Sequence, residues 1–534
     1  MRFDYLTVAF VSQAALWSFN NALLTTSLST RKRHLNLSLE SLQDSSIENI
    51  ITSTEGDLQS PLSSLPLPPQ KGGILRRFRD TFSHLQDPER FIERRSAELG
   101  PVFQMYQFFK PVVVVGGQDA VKEFIQEREA EAKVIYPDLP ETFRELQTEW
   151  STLNMDSTQQ RFKEARELFK DMLQAPEARS YYLSTILPEI EAYADSLLER
   201  VQANPQKEIL LVPELKELCL QIFARIFSGE GLTKEQVQMF LDYNSSLLTI
   251  SKVTPEFKKG KEALDTLSEV MLRRFHAMED KVAQGERIFV FECFRKNKGF
   301  LDVKNYERIS VGMLLMIWGA YIECAALMIG STVCMLEQNI DPTATVLREI
   351  RDQEAKGEKR TELSFWDGMK YTNGIMKESL RLVPPGAGLS RYGDTEFSLA
   401  GYRIPKGLSV QLDPRIGNKD SSLFEQAESF EPLRWVPPGA STTPASSSCP
   451  FKGMALTLGT GSWFPGGNGA HRCPGVPLAE LVSTMFVSAL SERFDSWEFG
   501  GSGLTTDGAV NYVNIPIKIS PDDLGLKFCI RQNT

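Results

Sequence analysis

Three hydrophobic patterns succeed one another along the chain. Between positions 101 and 117 the run PVFQMYQFFKPVVVVGG sets two β-prone stretches around a break, which predicts a hairpin whose PVVVV strand is buried. From about 155 to 350 apolar residues recur three and four apart, as in ILPEIEAYADSLLERVQ (186–202) and VPELKELCLQIFARIF (212–227), the period of amphipathic helices. One segment departs from this: residues 309–338 are apolar on every face, so a helix there is enclosed by protein or by lipid. Its place among amphipathic helices favours a buried core helix over a membrane span. From Pro384 short strands return (TEFSLAGYRIPKGLSVQL, 395–412), followed by loops, a glycine-rich turn, another helix and a final hairpin. The expected class is mainly α with small β-sheets (α+β), and no internal repeat is evident.

The front of the chain reads differently. Residues 5–19 are moderately apolar and are followed by Arg31, Lys32, Arg33 and His34. That is short of the roughly 20 apolar residues of a firm span, and fits a weak anchor, a cleaved signal or an organelle address. Residues 35–73, ending in SPLSSLPLPPQKGG, read as a Ser/Leu/Pro-rich linker and hinge. The expected organisation is therefore a targeting or anchor segment at 1–34, a linker at 35–73 and one large domain at 74–534. Membrane association at the endoplasmic reticulum is expected, with a plastid as the alternative.

Composition narrows the chemistry. With 59 basic and 69 acidic residues in 534, the net charge of −10 argues against nucleic acid as a partner. Seven cysteines (219, 293, 324, 334, 449, 473, 529) are scattered without a CxxC pair, and four histidines form no HExxH, so neither a disulfide framework nor a zinc site is indicated. One cysteine stands apart. In WFPGGNGAHRCPGVPLAELV (463–482), Gly466, Gly467 and Gly469 remove side chains and permit positive φ, as backbone lying against a flat ligand requires. Cys473 follows, then Pro474, Gly475 and the start of an apolar helix. A cysteine before a helix N-terminus meets unpaired N–H groups and the positive dipole end, which stabilise a thiolate able to act as nucleophile or metal ligand.

The spacing G-x-x-G-x-H-x-C-x-G, from Gly466 to Gly475, resembles the heme-binding loop of cytochrome P-450 enzymes, in which a cysteine thiolate is the axial ligand of heme iron. That family usually has Phe first and Arg or His sixth; this chain has Gly466 and His471 there, with Phe464 two residues earlier. Further motifs occur in the family's order: KESLR with Glu378 and Arg381 at helical i, i+3 spacing, RLVPPGAGLSR, then FEPLRW with Arg434, and the cysteine loop about 40 residues on. The resemblance implies the cytochrome P-450 fold, heme b held by Cys473, and Gly466, Gly469 and Gly475 in the cradle. It also implies propionate partners among Arg391, His471, Arg161 and Arg166.

Over the heme, that family's central helix carries an acid followed by Thr, after a small Ala/Gly pair. The matching stretch WGAYIECAA puts Glu323 at the acid, Cys324 at the Thr position and Tyr321 where Gly is commonest. A thiol is a poorer donor than a hydroxyl. This implies either a monooxygenase whose proton relay runs through Glu323, water or substrate, or a peroxygenase or isomerase that has left O2 activation; a heme-binding sensor is the non-enzyme alternative. The stretch from Arg381 to Gly407 looks closest to the branch of retinoic-acid hydroxylases and their microbial relatives, which suggests a lipophilic, isoprenoid-like substrate. The sequence carries no flavin or nicotinamide fingerprint, so electrons for O2 chemistry are expected from a separate NADPH-dependent reductase or ferredoxin, with the chain itself a monomer.

Overall fold

The structure is a computed structural model and describes residues 61–73, 75–107, 109–128, 131, 136–247, 249, 251–297, 306–337, 342–385, 389–440, 455, 463, 466–467, 469–500 and 524–531. The segment expected to anchor or target the chain (1–34), most of the linker, and Phe464 lie outside these residues. Contacts divide the chain into two units, 1–66 and 67–534. Of the first, the described part is a 3-10 turn at Pro61–Ser64. The second begins inside the expected linker, because the 69–71 backbone is already tied down: the Gln104 N–H donates to the Pro69 carbonyl at 2.8 Å, and Lys71 pairs with Glu98 at 3.0 Å.

The all-apolar stretch forms a helix over Tyr306–Cys334. Its hydropathy matches that of a membrane span, yet 72% of its most apolar window is buried inside the protein. It is wrapped by helices Leu211–Ser228, Pro255–Ala283, Lys370–Leu382 and Val476–Arg493. Each fully buried Leu, Ile, Met or Phe of this nest contributes about 1.5–3 kcal/mol of transfer free energy, so no bilayer is needed to satisfy the central helix.

Among the described residues the strands form three small sheets. The predicted hairpin is present as β1 (Val102–Gln107) and β2 (Lys110–Val115), antiparallel, with Val112 to Val115 buried. β2 runs parallel to β8 (Ser409–Leu412), which pairs with β5 (Leu389–Tyr392) and through it with β3 (Tyr136–Pro137). β4 (Ile209–Leu210), β10 (Gly525–Ile530) and β9 (Phe494–Phe499) make a second sheet. β6 (Phe397–Leu399) and β7 (Tyr402–Ile404) are joined by Ala400 and Gly401, both left-handed, and the Ala400 N–H is held by Glu123 Oε2 at 2.8 Å. β5 brings Arg391 toward the cysteine loop, and the helix from Val476 starts where that loop ends.

Candidate functional site

The cysteine loop is built by its glycines. Gly466, Gly467 and Gly469 have φ of +71°, +77° and +69°. At Gly466 the need is steric as well as conformational: an added Cβ would sit 2.5 Å from Val476 Cγ2 and 2.9 Å from Cys473 Cβ. The Gly466 carbonyl accepts the Cys473 N–H at 2.7 Å, which closes the loop on itself. Cys473 is half-buried just ahead of the helix N-terminus. Burial pushes its thiol up to about 11, with the Glu323 carboxyl adding to the rise. The backbone N–H groups of Gly475 and Val476 and the Arg166 guanidinium oppose that rise, so the surroundings already contain the groups that favour an anionic sulfur.

Three of the four candidate propionate partners gather beside this loop. His471 packs on Phe162, ring centroids 4.4 Å apart, and burial together with Arg391 and Arg166 drives its imidazole down to about 2. It is therefore neutral, and its buried Nε2 has no partner among the described residues. Arg391 is buried in β5, and Arg166 lies close enough to Cys473 for the two charges to interact. Two guanidiniums and an unsatisfied imidazole, brought together by three different elements, fit an anionic ligand edge such as a pair of propionates. Arg161 stands elsewhere: it bonds Gln159 at 2.8 Å and pairs with Glu149 at 3.1 Å, one helical turn and more from Arg166.

On the central helix the partly exposed positions from 309 to 334 are Leu315, Gly319, Ala320, Glu323 and Ala326, which trace one face. A Cβ added at Gly319 would meet nothing within 4 Å, so this face borders open space. Glu323 is one turn further on at i+4, with no hydrogen-bond or ion-pair partner among the described residues, and burial raises its carboxyl to about 7. Cys324 is placed differently from the expectation. It is 2% exposed and packed in the core, where burial and then Cys219 push its thiol well up. Tyr321 is likewise fully buried, near Cys219 and Tyr243, and its hydroxyl has no partner among the described residues. The small pair bordering the space is thus Gly319–Ala320, and the polar residue four beyond that glycine is Glu323. Relative to the expected alignment the face is shifted by one residue, because a 100° step turns Cys324 and Tyr321 into the protein.

A buried charge knot holds the loop's surroundings. Glu378 and Arg381 are fully buried and bidentate, at 2.6 and 2.9 Å. Glu378 also accepts from Arg434 Nε at 3.2 Å, Trp435 Nε1 at 2.8 Å and the Glu431 N–H at 3.0 Å. Arg381 in turn donates to the carbonyls of Asn418, Ala427 and Ser429. The part of Trp435 was not foreseen; an indole N–H beside Arg434 in FEPLRW was the available signal. Its ring packs against Trp463 at 4.3 Å, which connects the knot to the residue that opens the cysteine loop.

Comparison with known proteins agrees with this geometry. The family model described as Cytochrome P450 matches residues 81–502. Cytochrome P450 26A1 of Xenopus laevis is 24% identical, the alignment covering 85% of this chain and 90% of the frog protein. Taxane 10-beta-hydroxylase of Taxus cuspidata is also 24% identical, over 82% of this chain and 85% of its own. A solved structure described as retinoic acid bound cyanobacterial CYP120A1 superposes with a TM-score of 0.68 at 20% identity, covering 88% of this chain and all of that one, which establishes likeness of fold.

Proposed function

This chain belongs to the cytochrome P450 family of heme-dependent oxidoreductases, and on that premise we propose that it oxidises a lipophilic, isoprenoid-like small molecule with electrons from a separate NADPH-dependent reductase or ferredoxin. Heme b with a cysteine thiolate ligand is the family's cofactor, and when bound it supplies the redox-active iron for oxidation by dioxygen or peroxide. Cys473 would be that ligand. Gly466 and Gly469 keep side chains off the loop, Gly475 and Val476 present N–H groups to the sulfur, and His471, Arg391 and Arg166 would receive the propionates. Glu323 holds a proton at its carboxyl on the cleft face, within reach of what lies between the central helix and the cysteine loop.

The observation that carries this reading is a conjunction: open space at Gly319, an unpartnered Glu323 one turn on, and, near enough to feel that carboxyl, a cysteine fenced by helix N–H groups. The taxane named in one relative and the retinoic acid named in a solved structure of like fold support a lipophilic, isoprenoid-like substrate. A second reading, turnover driven by peroxide without a reductase, is favoured by one feature. Residues 311–330 of the central helix contain no Ser or Thr, so the cleft face offers a carboxyl and no hydroxyl. Working at the endoplasmic-reticulum membrane, with a plastid second, is part of the proposal.

Purified protein is expected to carry heme and, reduced under carbon monoxide, to show the long-wavelength Soret band of thiolate ligation, which Cys473→Ala abolishes. Product formed with reductase and NADPH supports the monooxygenase; product with peroxide alone supports the second reading. A heme spectrum with turnover under neither condition would leave a sensor.

A further inference from the structure

The central helix leaves one polar side chain facing open space and accounts for its others. Between positions 311 and 330 the polar side chains are Trp318, Tyr321, Glu323 and Cys324. Trp318 is buried and donates its Nε1–H to Asn244 Oδ1 at 3.2 Å. Tyr321 and Cys324 are buried on the side that meets the helix Leu211–Ser228, where Cys219 Sγ packs on Met328 Sδ at 3.6 Å, one turn beyond Cys324. Glu323 shares its half-buried face with Leu315, Gly319, Ala320 and Ala326, and has no hydrogen-bond or ion-pair partner among the described residues.

The helices beside this face use their polar groups on one another. Phe143 and Tyr243, from the helices Glu141–Gln147 and Lys234–Ser246, pack edge-on against Trp318. The Tyr243 hydroxyl donates to the Leu146 carbonyl at 3.0 Å and accepts from Gln147 Nε2 at 3.1 Å, and Gln147 Oε1 accepts from Ser151 at 3.0 Å. A buried carboxyl left bare loses the hydrogen bonds it makes in water. An ordered water replaces them only where further polar groups hold that water, and Leu315, Gly319, Ala320 and Ala326 offer no polar side chain. A ligand that fills the space with hydrocarbon alone would seal the carboxyl in, whereas a suitably placed oxygen would complete it. Burial raises the carboxyl to about 7, so near neutral pH it presents a proton to donate and an oxygen to accept.

We propose that Glu323 determines specificity by hydrogen-bonding a hydroxyl or carbonyl oxygen on an isoprenoid substrate, so that the enzyme prefers isoprenoids already oxygenated to their parent hydrocarbons. This deepens the reading of a lipophilic, isoprenoid-like substrate given above and rests on it. It is a role in binding, separate from any proton that the same carboxyl passes during turnover. A substrate carboxylate is disfavoured there, because Cys473, near enough to feel Glu323, is itself an anion when it serves as ligand.

Equilibrium dialysis of the heme-loaded full chain tests this through Kd, without turnover. The probes share one diterpenoid skeleton and differ in one substituent: dehydroabietane, dehydroabietinol and dehydroabietylamine. Dehydroabietinol is expected to bind about 5- to 150-fold more tightly than dehydroabietane, the range that an unmade buried hydrogen bond corresponds to. Glu323→Leu is expected to abolish that preference, and Glu323→Gln, which keeps a donor and an acceptor, to retain most of it. The thiolate band under carbon monoxide reports whether each variant keeps its fold; if the Leu variant loses it, the wild-type ratio decides. Equal wild-type affinity for alcohol and hydrocarbon, or a preference that survives Glu323→Leu, overturns the proposal. A Glu323-dependent preference for the amine over the alcohol overturns it too, in favour of a basic substrate. Binding of none of the three beside a normal heme spectrum overturns the isoprenoid reading on which the proposal rests.

Discussion

Replacing Gly319 with Ala separates a glycine kept for space from one kept for its backbone. Gly319 lies inside the Tyr306–Cys334 helix with no positive φ, and a Cβ there meets nothing within 4 Å. Ala is favoured over Gly inside a helix by about 1 kcal/mol, and open space removes the overpacking cost that usually opposes such a change. Gly319→Ala is therefore expected to stabilise the protein by about 1 kcal/mol, a rise in Tm of about 1–2 °C when the size dependence is carried to a chain this long. The same methyl enters the space one turn before Glu323. If a substrate uses that space, Gly319→Leu costs binding on the order of 1–3 kcal/mol, about 5- to 150-fold in Kd. The paired assay is thermal denaturation and a spin-shift titration with a retinoid or diterpenoid probe that perturbs the wild-type heme spectrum. A fall in Tm for the Ala variant refutes the open space, and unchanged probe affinity in the Leu variant refutes its use by a ligand.

Other outcomes follow from the same geometry. Glu378→Ala leaves Arg381 and Arg434 buried without their shared counter-charge, and a loss of about 3–5 kcal/mol is expected, read as a lower urea midpoint or as insoluble protein. Cys324→Ser puts a hydroxyl into the core and is expected to lower stability by about 1–3 kcal/mol without altering peroxide leakage, whereas Glu323→Gln is expected to alter leakage with little change in Tm; the opposite pattern would return Cys324 to the cleft. Glu349 accepts from the Tyr371 and Thr372 N–H groups at 2.6 and 2.9 Å, yet burial raises its carboxyl from 4.5 to about 7. The folded state thus binds its proton more tightly than the unfolded chain, so its contribution is complete below about pH 4.5 and is lost as pH rises through 7. Glu349→Gln should flatten the wild-type fall in Tm over that window, and identical slopes would refute it.

Much of the site was legible because its chemistry is local in sequence. Gly466, Gly467 and Gly469 act within ten residues of Cys473, and all three take the positive φ that the loop permits. Glu378 and Arg381 meet because they are three apart on a helix, and the hairpin at 102–115 follows from two β-prone stretches set around a break. What could not be read depended on rotation and on distance along the chain. WGAYIECAA does not say which way Cys324 turns on the helix; the folded structure puts it in the core, 2% exposed. Arg161 and Arg166 look equivalent in QQRFKEAR, but Glu149, reached through a different segment, engages the first. The linker boundary at 73 was set by composition, whereas the backbone is fixed from Pro69 on by a strand more than thirty residues later.

The burial of the central helix has a consequence for how the chain is made. Its apolar segment ends at Cys334, while Val476–Arg493, one of the helices that covers it, is synthesised more than 140 residues later. At ribosomal speed that interval is on the order of ten seconds, during which a stretch hydrophobic enough to enter a bilayer has only part of its native shelter. Yield of this protein in a recombinant host should therefore depend on growth temperature, on elongation rate and on holdase supply.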